Sequence, residues 1–207
     1  EESVYYEQKR RSRSRGGRPE VKLLDLFCGM GGWSVGFHRE GFDCTGIDVH
    51  DVGYPYRLIL ADLGTWDSAS LQEDFDVICA SPPCIEFTKT TLPKSWNKGK
   101  EVSRPDLTLA KSTLYIVNHF HPKFWVVENV RGAVPYFQDL FGELKKKVGS
   151  RYLWGHFPIF DCEATYDKWR LPPNPDRAWL RSKIPYPLSR SLALACRTAL
   201  KQILEAT

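Results

Sequence analysis

The sequence predicts a doubly wound α/β domain built on a mostly parallel sheet. Three observations carry that expectation. Short apolar runs of strand length alternate with helix-length segments from Val21 onward. The strand candidates are almost continuously apolar, as strands covered on both faces must be. A glycine-rich turn follows the first of them, and acids end the next two. Open α/β sheets hold their ligands at such strand ends.

Val21–Phe27 (VKLLDLF) reads as the first strand and Gly32–Glu40 as a short helix. Cys44–Asp48 (CTGID) is the second strand, Arg57–Leu60 with Ala61 the third, and Phe75–Ala80 (FDVICA) the fourth. Asp106 caps a helix that runs through His119 and breaks before Pro122. Phe124–Val130 (FWVVENV) is the fifth strand, Phe137–Val148 a helix, and Arg151–Phe157 another strand. The last helix spans residues 187–206. Its Leu188, Leu192, Ala195, Ala199 and Ile203 recur at spacings of three and four, so one face is expected on the core. Residues 1–20 are polar, rich in Arg, Ser and Gly, and read as a basic arm outside the core.

The chain has 207 residues, of which 42% are hydrophobic, enough for one well-buried domain. No run approaches the ~18 apolar residues of a membrane helix, and no charged-then-apolar leader is recognised, so an intracellular protein is expected. The net charge of +4 is unevenly spread. Residues 1–18 carry six Lys/Arg against three acids, residues 85–111 again six against three, and residues 164–207 eight against three. Basic ends and a basic loop suit a polyanionic partner.

The six cysteines, at 28, 44, 79, 84, 162 and 196, show neither a C-x-x-C pair nor histidines at zinc spacing, so no metal is expected. Cys28, Cys44, Cys79 and Cys196 lie in or beside apolar runs and read as small buried side chains. Cys84 differs, because it follows two prolines at the end of an apolar run.

The turn Cys28-Gly29-Met30-Gly31-Gly32 joins the first strand to a helix start, where free N–H groups and a positive dipole end await a ligand. Asp48 ends the next strand at a distance suited to ribose hydroxyls. Asp62 follows the third strand and suits an adenine amino group. The turn departs from G-x-G-x-x-G, which would need glycine where Ser34 stands. A dinucleotide and an adenosine-bearing methyl donor both remain open at this point.

Ser81-Pro82-Pro83-Cys84 follows the fourth strand, and two prolines present the thiol stiffly. The fifth strand ends in Glu128-Asn129-Val130. Carboxyl ends of parallel strands face one crevice, so thiol, carboxyl and nucleoside ligand should converge.

Taken together these segments resemble the DNA (cytosine-5) methyltransferase family. Asp25-Leu26-Phe27-Cys28-Gly29-Met30-Gly31-Gly32 looks like its first motif, and Gly46-Ile47-Asp48 and Ala61-Asp62-Leu63 like its second and third. Ser81-Pro82-Pro83-Cys84 looks like its Pro-Cys motif and Glu128-Asn129-Val130 like its Glu-Asn-Val motif. Their order and spacing agree over residues 21–132.

The resemblance implies a Rossmann-like, S-adenosylmethionine-dependent catalytic domain over residues 21–207. Phe27, Gly29, Met30, Gly31, Gly32, Asp48, Val49, Asp62 and Leu63 would hold the cofactor, and S-adenosylhomocysteine would be the product. It implies that Cys84 attacks carbon 6 of a cytosine while Glu128 holds and protonates ring nitrogen 3. An ordinary thiol, with pKa about 8.5, is mostly protonated at neutral pH, so nearby positive charge should help. Arg151 is the best candidate for that charge. The base that takes the carbon-5 proton is not identified; water can serve. Related enzymes acting on exocyclic amines place an aromatic residue after Pro-Pro, and Cys84 in that place favours ring-carbon chemistry.

The family's Gln-x-Arg-x-Arg element is incomplete here. Val148-Gly149-Ser150-Arg151-Tyr152-Leu153-Trp154-Gly155 stands in its place, with Arg151 matching the last Arg. Its Gly-Asn element before the last helix is replaced by Pro185-Tyr186-Pro187-Leu188-Ser189, expected to close over the cofactor. Residues 158–184 are too few for a separate target-recognition domain of ~50 residues or more. Trp169, Arg170, Arg177, Trp179 and Arg181 there could clamp a strand by charge and stacking, or form a lid on the sheet.

DNA is the expected partner and a membrane is not; the sequence leaves the oligomeric state open, a monomer included. RNA, single-stranded DNA or a free cytosine nucleotide is the alternative substrate. A non-catalytic module binding cofactor and nucleic acid is the alternative of another class.

Overall fold

The computed structural model describes residues 21–90, 104–162 and 183–206. The basic arm, most of the loop after Cys84 and the Trp169–Arg181 cluster lie outside the described residues.

Seven strands form one sheet: β1 (Lys22–Leu26), β2 (Asp43–Asp48), β3 (Arg57–Leu60), β4 (Val77–Ala80), β5 (Phe124–Asn129), β6 (Lys146–Val148) and β7 (Arg151–His156). Their spatial order is β3-β2-β1-β4-β5-β7-β6. β1 to β5 are mutually parallel, whereas β7 runs antiparallel to both β5 and β6. The order reverses between β1 and β4, so a crevice opens beyond their carboxyl ends. Because β7 is antiparallel, its first residue, Arg151, comes to the same edge as the last residues of β5.

Among the described residues five α-helices flank the sheet: α1 (Gly32–Arg39), α2 (Ile85–Thr90), α3 (Thr108–Phe120), α4 (Val134–Phe141) and α5 (Tyr186–Glu205). Strand alternation divides the core into two layers. On one face Leu23, Cys79 and Leu153 pack with Trp33 and Phe37 of α1 and with Leu188, Leu192, Cys196 and Leu200 of α5. On the other, Leu24, Ile78 and Trp154 pack with Ile116 of α3 and Phe137 and Phe141 of α4. Each such large side chain, fully withdrawn from water, contributes about 1.5–3 kcal/mol.

α1 and α5 approach closely because Gly36 has no side chain. A Cβ there would strike Ser189 and lie 2.5 Å from the Arg190 nitrogen. Ser189 Oγ donates to the Trp33 carbonyl across the same contact, and Arg190 Nε pairs with Glu40 at 2.9 Å.

Most expected elements appear with ends shifted by a residue or two. Leu107, not Asp106, is the N-cap of α3, and Asp106 Oδ1 accepts from the Thr108 N–H at 2.9 Å one residue before it. Three corrections concern particular residues. The helix expected over Phe137–Val148 instead begins at Val134 and stops at Phe141. Gly142, with φ 81°, ends it, and Lys146–Val148 forms β6. Directly after Cys84 the chain forms α2, where a basic loop over residues 85–111 is expected. On α5, Ile203 is 41% exposed, while Cys196 and Leu200 join the buried face.

Candidate active site

The glycine turn takes its shape from left-handed backbone. Phe27 (φ 58°), Gly29 (φ 48°) and Gly31 (φ 73°) all adopt it within five residues. For Phe27 this conformation costs on the order of 1–2 kcal/mol, strain of the kind stored at ligand sites. Gly31 packs beneath Tyr54 and Pro55, whereas a Cβ on Gly29 would meet nothing within 4 Å, so the main chain there faces open space.

Two acids stand beside the turn at successive strand ends. Asp48 Oδ2 accepts from the Gly29 N–H at 2.9 Å, and its Oδ1 from the His50 N–H at 3.1 Å. Asp62 Oδ1 accepts from the Gly64 N–H at 2.8 Å. Each oxygen so used keeps a second lone pair for a hydroxyl or amino donor. Val49 is 57% exposed and Leu60 63%, an apolar surface between the two carboxylates. Two carboxylates at strand ends, exposed apolar side chains and an uncovered turn fit an adenosine-bearing ligand. Leu63 departs from the expectation of a cofactor wall. Its side chain is 4% exposed and packed in the core, which leaves only its main chain for a ligand.

Behind the turn lies a buried polar chain that sequence reading did not assemble. Asp25 Oδ2 accepts from Ser34 N–H at 3.2 Å and Ser34 Oγ at 2.6 Å. Ser34 Oγ also lies 2.7 Å from the Tyr54 hydroxyl. Burial pushes the Asp25 carboxyl up to about 7, against the opposing pull of the Ser34 hydrogen bonds.

All six cysteines are free. Burial raises the thiols of Cys28, Cys44 and Cys79, and that of Cys196 to about 12, so these four stay protonated in the core. Cys84 is partly exposed and sits at the start of α2. Its carbonyl accepts from the Thr88 N–H at 2.9 Å and from Thr88 Oγ1 at 2.9 Å.

Three contacts set the position of the Ser81–Cys84 loop. Ser81 N–H donates to the Leu26 carbonyl at 3.3 Å. Trp33 Nε1, from the helix after the glycine turn, donates to Ser81 Oγ at 3.0 Å. Asn129 Nδ2 donates to the Pro82 carbonyl at 2.9 Å, while Asn129 Oδ1 accepts from Val130 N–H at 2.9 Å. Asn129 therefore fastens the cysteine loop to the strand end that carries Glu128. Trp33 gave no signal in sequence beyond an apolar position. Asn129 was visible only as a member of its tripeptide.

Glu128 and Arg151 form a buried pair. Arg151 Nη1 donates to Glu128 Oε1 at 3.0 Å, with both side chains 6% exposed. Arg151 Nη2 donates to the Lys183 carbonyl at 2.8 Å, which ties the segment entering α5 to the same group. The guanidinium expected to support the Cys84 thiolate is thus engaged by the carboxylate and by a main-chain oxygen. Among the described residues no cluster of His, Cys, Asp and Glu could hold a metal ion, and no helix is long and apolar enough to cross a membrane.

A seven-stranded sheet of this order, with a glycine turn and strand-end acids on one side of its crevice, is the Rossmann-like fold of S-adenosylmethionine-dependent methyltransferases. Residues 21–137, more than half of the chain, match the model of the C-5 cytosine-specific DNA methylase family, and the chain belongs to that family. It is similar to the type II methyltransferase M.AplI of Arthrospira platensis, 29% identical over 136 residues, covering 61% of this chain and 37% of that one. It also resembles M.DdeI of Desulfomicrobium norvegicum, 28% identical over 150 residues, covering 63% and 34%. The chain thus spans about a third of the length of these curated relatives. Among solved structures, the Entamoeba histolytica methyltransferase EhMeth aligns with a TM-score of 0.48 and 15% identity, over 67% of this chain and 53% of that one.

Proposed function

We propose that this chain transfers a methyl group from S-adenosylmethionine to carbon 5 of cytosine in DNA, with Cys84 as nucleophile. The observation that carries the reading is the Asn129–Pro82 hydrogen bond, which brings the Cys84 loop to the strand end bearing the buried Glu128–Arg151 pair. Cofactor binding falls to the glycine turn from Phe27 to Gly32, to Asp48 and Val49, and to Asp62 with the main chain of Leu63. When bound, S-adenosylmethionine supplies an electrophilic methyl on a sulfonium.

The Cys84 thiolate bonds to carbon 6 of the base, and Glu128, which takes up a proton from solvent on the oxygen that Arg151 does not hold, delivers it to nitrogen 3 as that bond forms. Electron density then gathers at carbon 5, which otherwise cannot take the methyl. Arg151 holds Oε1 of Glu128, leaving the second carboxyl oxygen to the ring. After transfer, loss of the carbon-5 proton to solvent expels the Cys84 thiolate, and nitrogen 3 returns its proton to Glu128. A duplex target must be swung out of its stack to reach the thiol.

Trapping with a 5-fluorocytosine substrate tests the reading, since the fluorine cannot leave as a proton does. With cofactor present, a methylated covalent adduct at Cys84 is expected by mass spectrometry, and none in Cys84→Ser. Duplex DNA, single-stranded DNA, RNA and the free nucleotide offered in parallel identify the carrier of the base. Labelled methyl transfer undiminished in Cys84→Ser would refute the assigned role. Failure of every substrate to form an adduct would favour a non-catalytic binding module.

A further inference from the structure

We infer that a groove around the sheet edge from the Glu128–Arg151 pair seats the nucleobase next to the target cytosine in its strand. This inference rests on the methyltransferase reading above. The groove encloses about 500 Å³, a volume typical of ligand pockets. Arg131, Gly132, Tyr136, Leu144 and Tyr152 line it.

Its place in the fold ties it to the proposed chemistry. Tyr152 follows Arg151 in β7 and stands opposite Asn129 in the ladder with β5. Side chains alternate along a strand, so Tyr152 lies on the opposite face from Arg151, at the same edge. Arg131 begins the turn directly after Glu128-Asn129-Val130. The Tyr136 ring is 6.1 Å from that of Phe87 in α2, the helix that starts behind Cys84. The groove therefore lies beside the turn that follows Glu128-Asn129-Val130 and beside the residue after Arg151 in β7.

Its chemistry suits an unpaired nucleotide. Tyr136 and Tyr152 are partly exposed and offer aromatic surface, on which any base can stack. The Lys147 ammonium lies 5.6 Å from the Tyr152 ring centroid, and Arg131, which lines the groove, is exposed. Cations beside an aromatic groove complement the phosphodiester of a strand whose base stacks there. A purely apolar peptide would fill the same volume but leave both cations without a purpose.

A short single-stranded oligonucleotide with 2-aminopurine beside the cytosine tests this. Its fluorescence should fall when the wild-type chain binds. In Tyr152→Leu the quenching should be lost and affinity should drop roughly tenfold, the scale of one stacked base. Tyr152→Phe, which keeps the ring, should restore both. In 5-fluorocytosine trapping, the loss should appear mainly as a raised KM. Arg131→Gln, at an exposed position, should weaken binding and flatten its salt dependence whether or not the tyrosine variant folds. Equal quenching and affinity in wild type, Tyr152→Leu and Arg131→Gln would overturn the inference while adduct formation at Cys84 left the enzyme standing. Tyr152-dependent quenching without any adduct would keep the groove and remove the catalytic reading.

Discussion

From the glycine turn to Asp62, the carboxyl edge of the sheet is made largely of main chain held by single carboxylates, across 19 residues at Asp48 and two at Asp62. From Cys84 to Arg151, it is made of side chains joined across long stretches of sequence. In the first region Asp48 reaches Gly29 and Asp62 reaches Gly64, and the turn relies on left-handed backbone at Phe27, Gly29 and Gly31. In the second, Asn129 reaches Pro82 across 47 residues and Arg151 reaches Glu128 across 23. A ligand common to many relatives can be held by backbone and two acids. A reacting base needs a thiol and a carboxyl set against each other, and those come from separate strands.

The largest effect should separate the two regions outright. Glu128→Gln removes the proton proposed for nitrogen 3 and should lower the transfer rate by ~10²–10⁴-fold. Cofactor affinity, measured by calorimetry, should stay within about twofold, because the glycine turn lies beyond β4 and β1. A large loss of cofactor binding would show that the two regions are one site energetically.

Arg151→Met sharpens the comparison through stability. It leaves the Glu128 carboxylate buried beside an apolar side chain and frees the Lys183 carbonyl. Breaking a buried pair from one side costs about 3–5 kcal/mol. Glu128→Gln/Arg151→Met together should recover part of that loss, and denaturant midpoints measure both. A single variant as stable as the wild type would mean that water already reaches the pair.

The region proposed to hold the cofactor has its own buried acid, and pH reveals it. The Asp25 carboxyl, ordinarily near 3.8, is raised by burial to about 7. Between those values the folded chain keeps a proton that the unfolded chain has released, so stability falls as pH rises through the window. Asp25→Asn preserves an acceptor for Ser34 and removes the titration. Relative to that variant, the wild type should lose stability from about pH 4 to 7, on the order of 1 kcal/mol per pH unit. A flat difference in melting temperature over that range would sink the assignment.

Legibility in the sequence follows the same division. The glycine turn, both acids and the succession of five strands along the chain could be read because each rests on contiguous residues and simple periods. Cys84 and Glu128 stood out because prolines and strand ends fix where a side chain emerges. What Arg151 does could not be read, since its partner depends on β7 running antiparallel beside β5. The helix expected over Phe137–Val148 failed for a local reason. Phe137, Leu140, Phe141, Leu144 and Val148 keep helical spacing, yet Gly142 takes a positive φ and turns the chain into β6. Periodicity alone did not weigh that glycine.

The smallest predicted effect bears on the joint between the two regions. Asn129 makes one local bond, to Val130 N–H, and one distant bond, to the Pro82 carbonyl. Asn129→Ala removes both and leaves buried groups unpaired, for about 1–3 kcal/mol of stability. Asn129→Asp keeps an acceptor for Val130 but has no donor for Pro82, so it isolates the distant bond. If that bond holds the thiol in place, Asn129→Asp should slow 5-fluorocytosine adduct formation about tenfold and leave cofactor affinity unchanged. Adduct formation at the wild-type rate would mean that Trp33 and Ser81, through the 3.0 Å bond from the cofactor side, suffice to position Cys84.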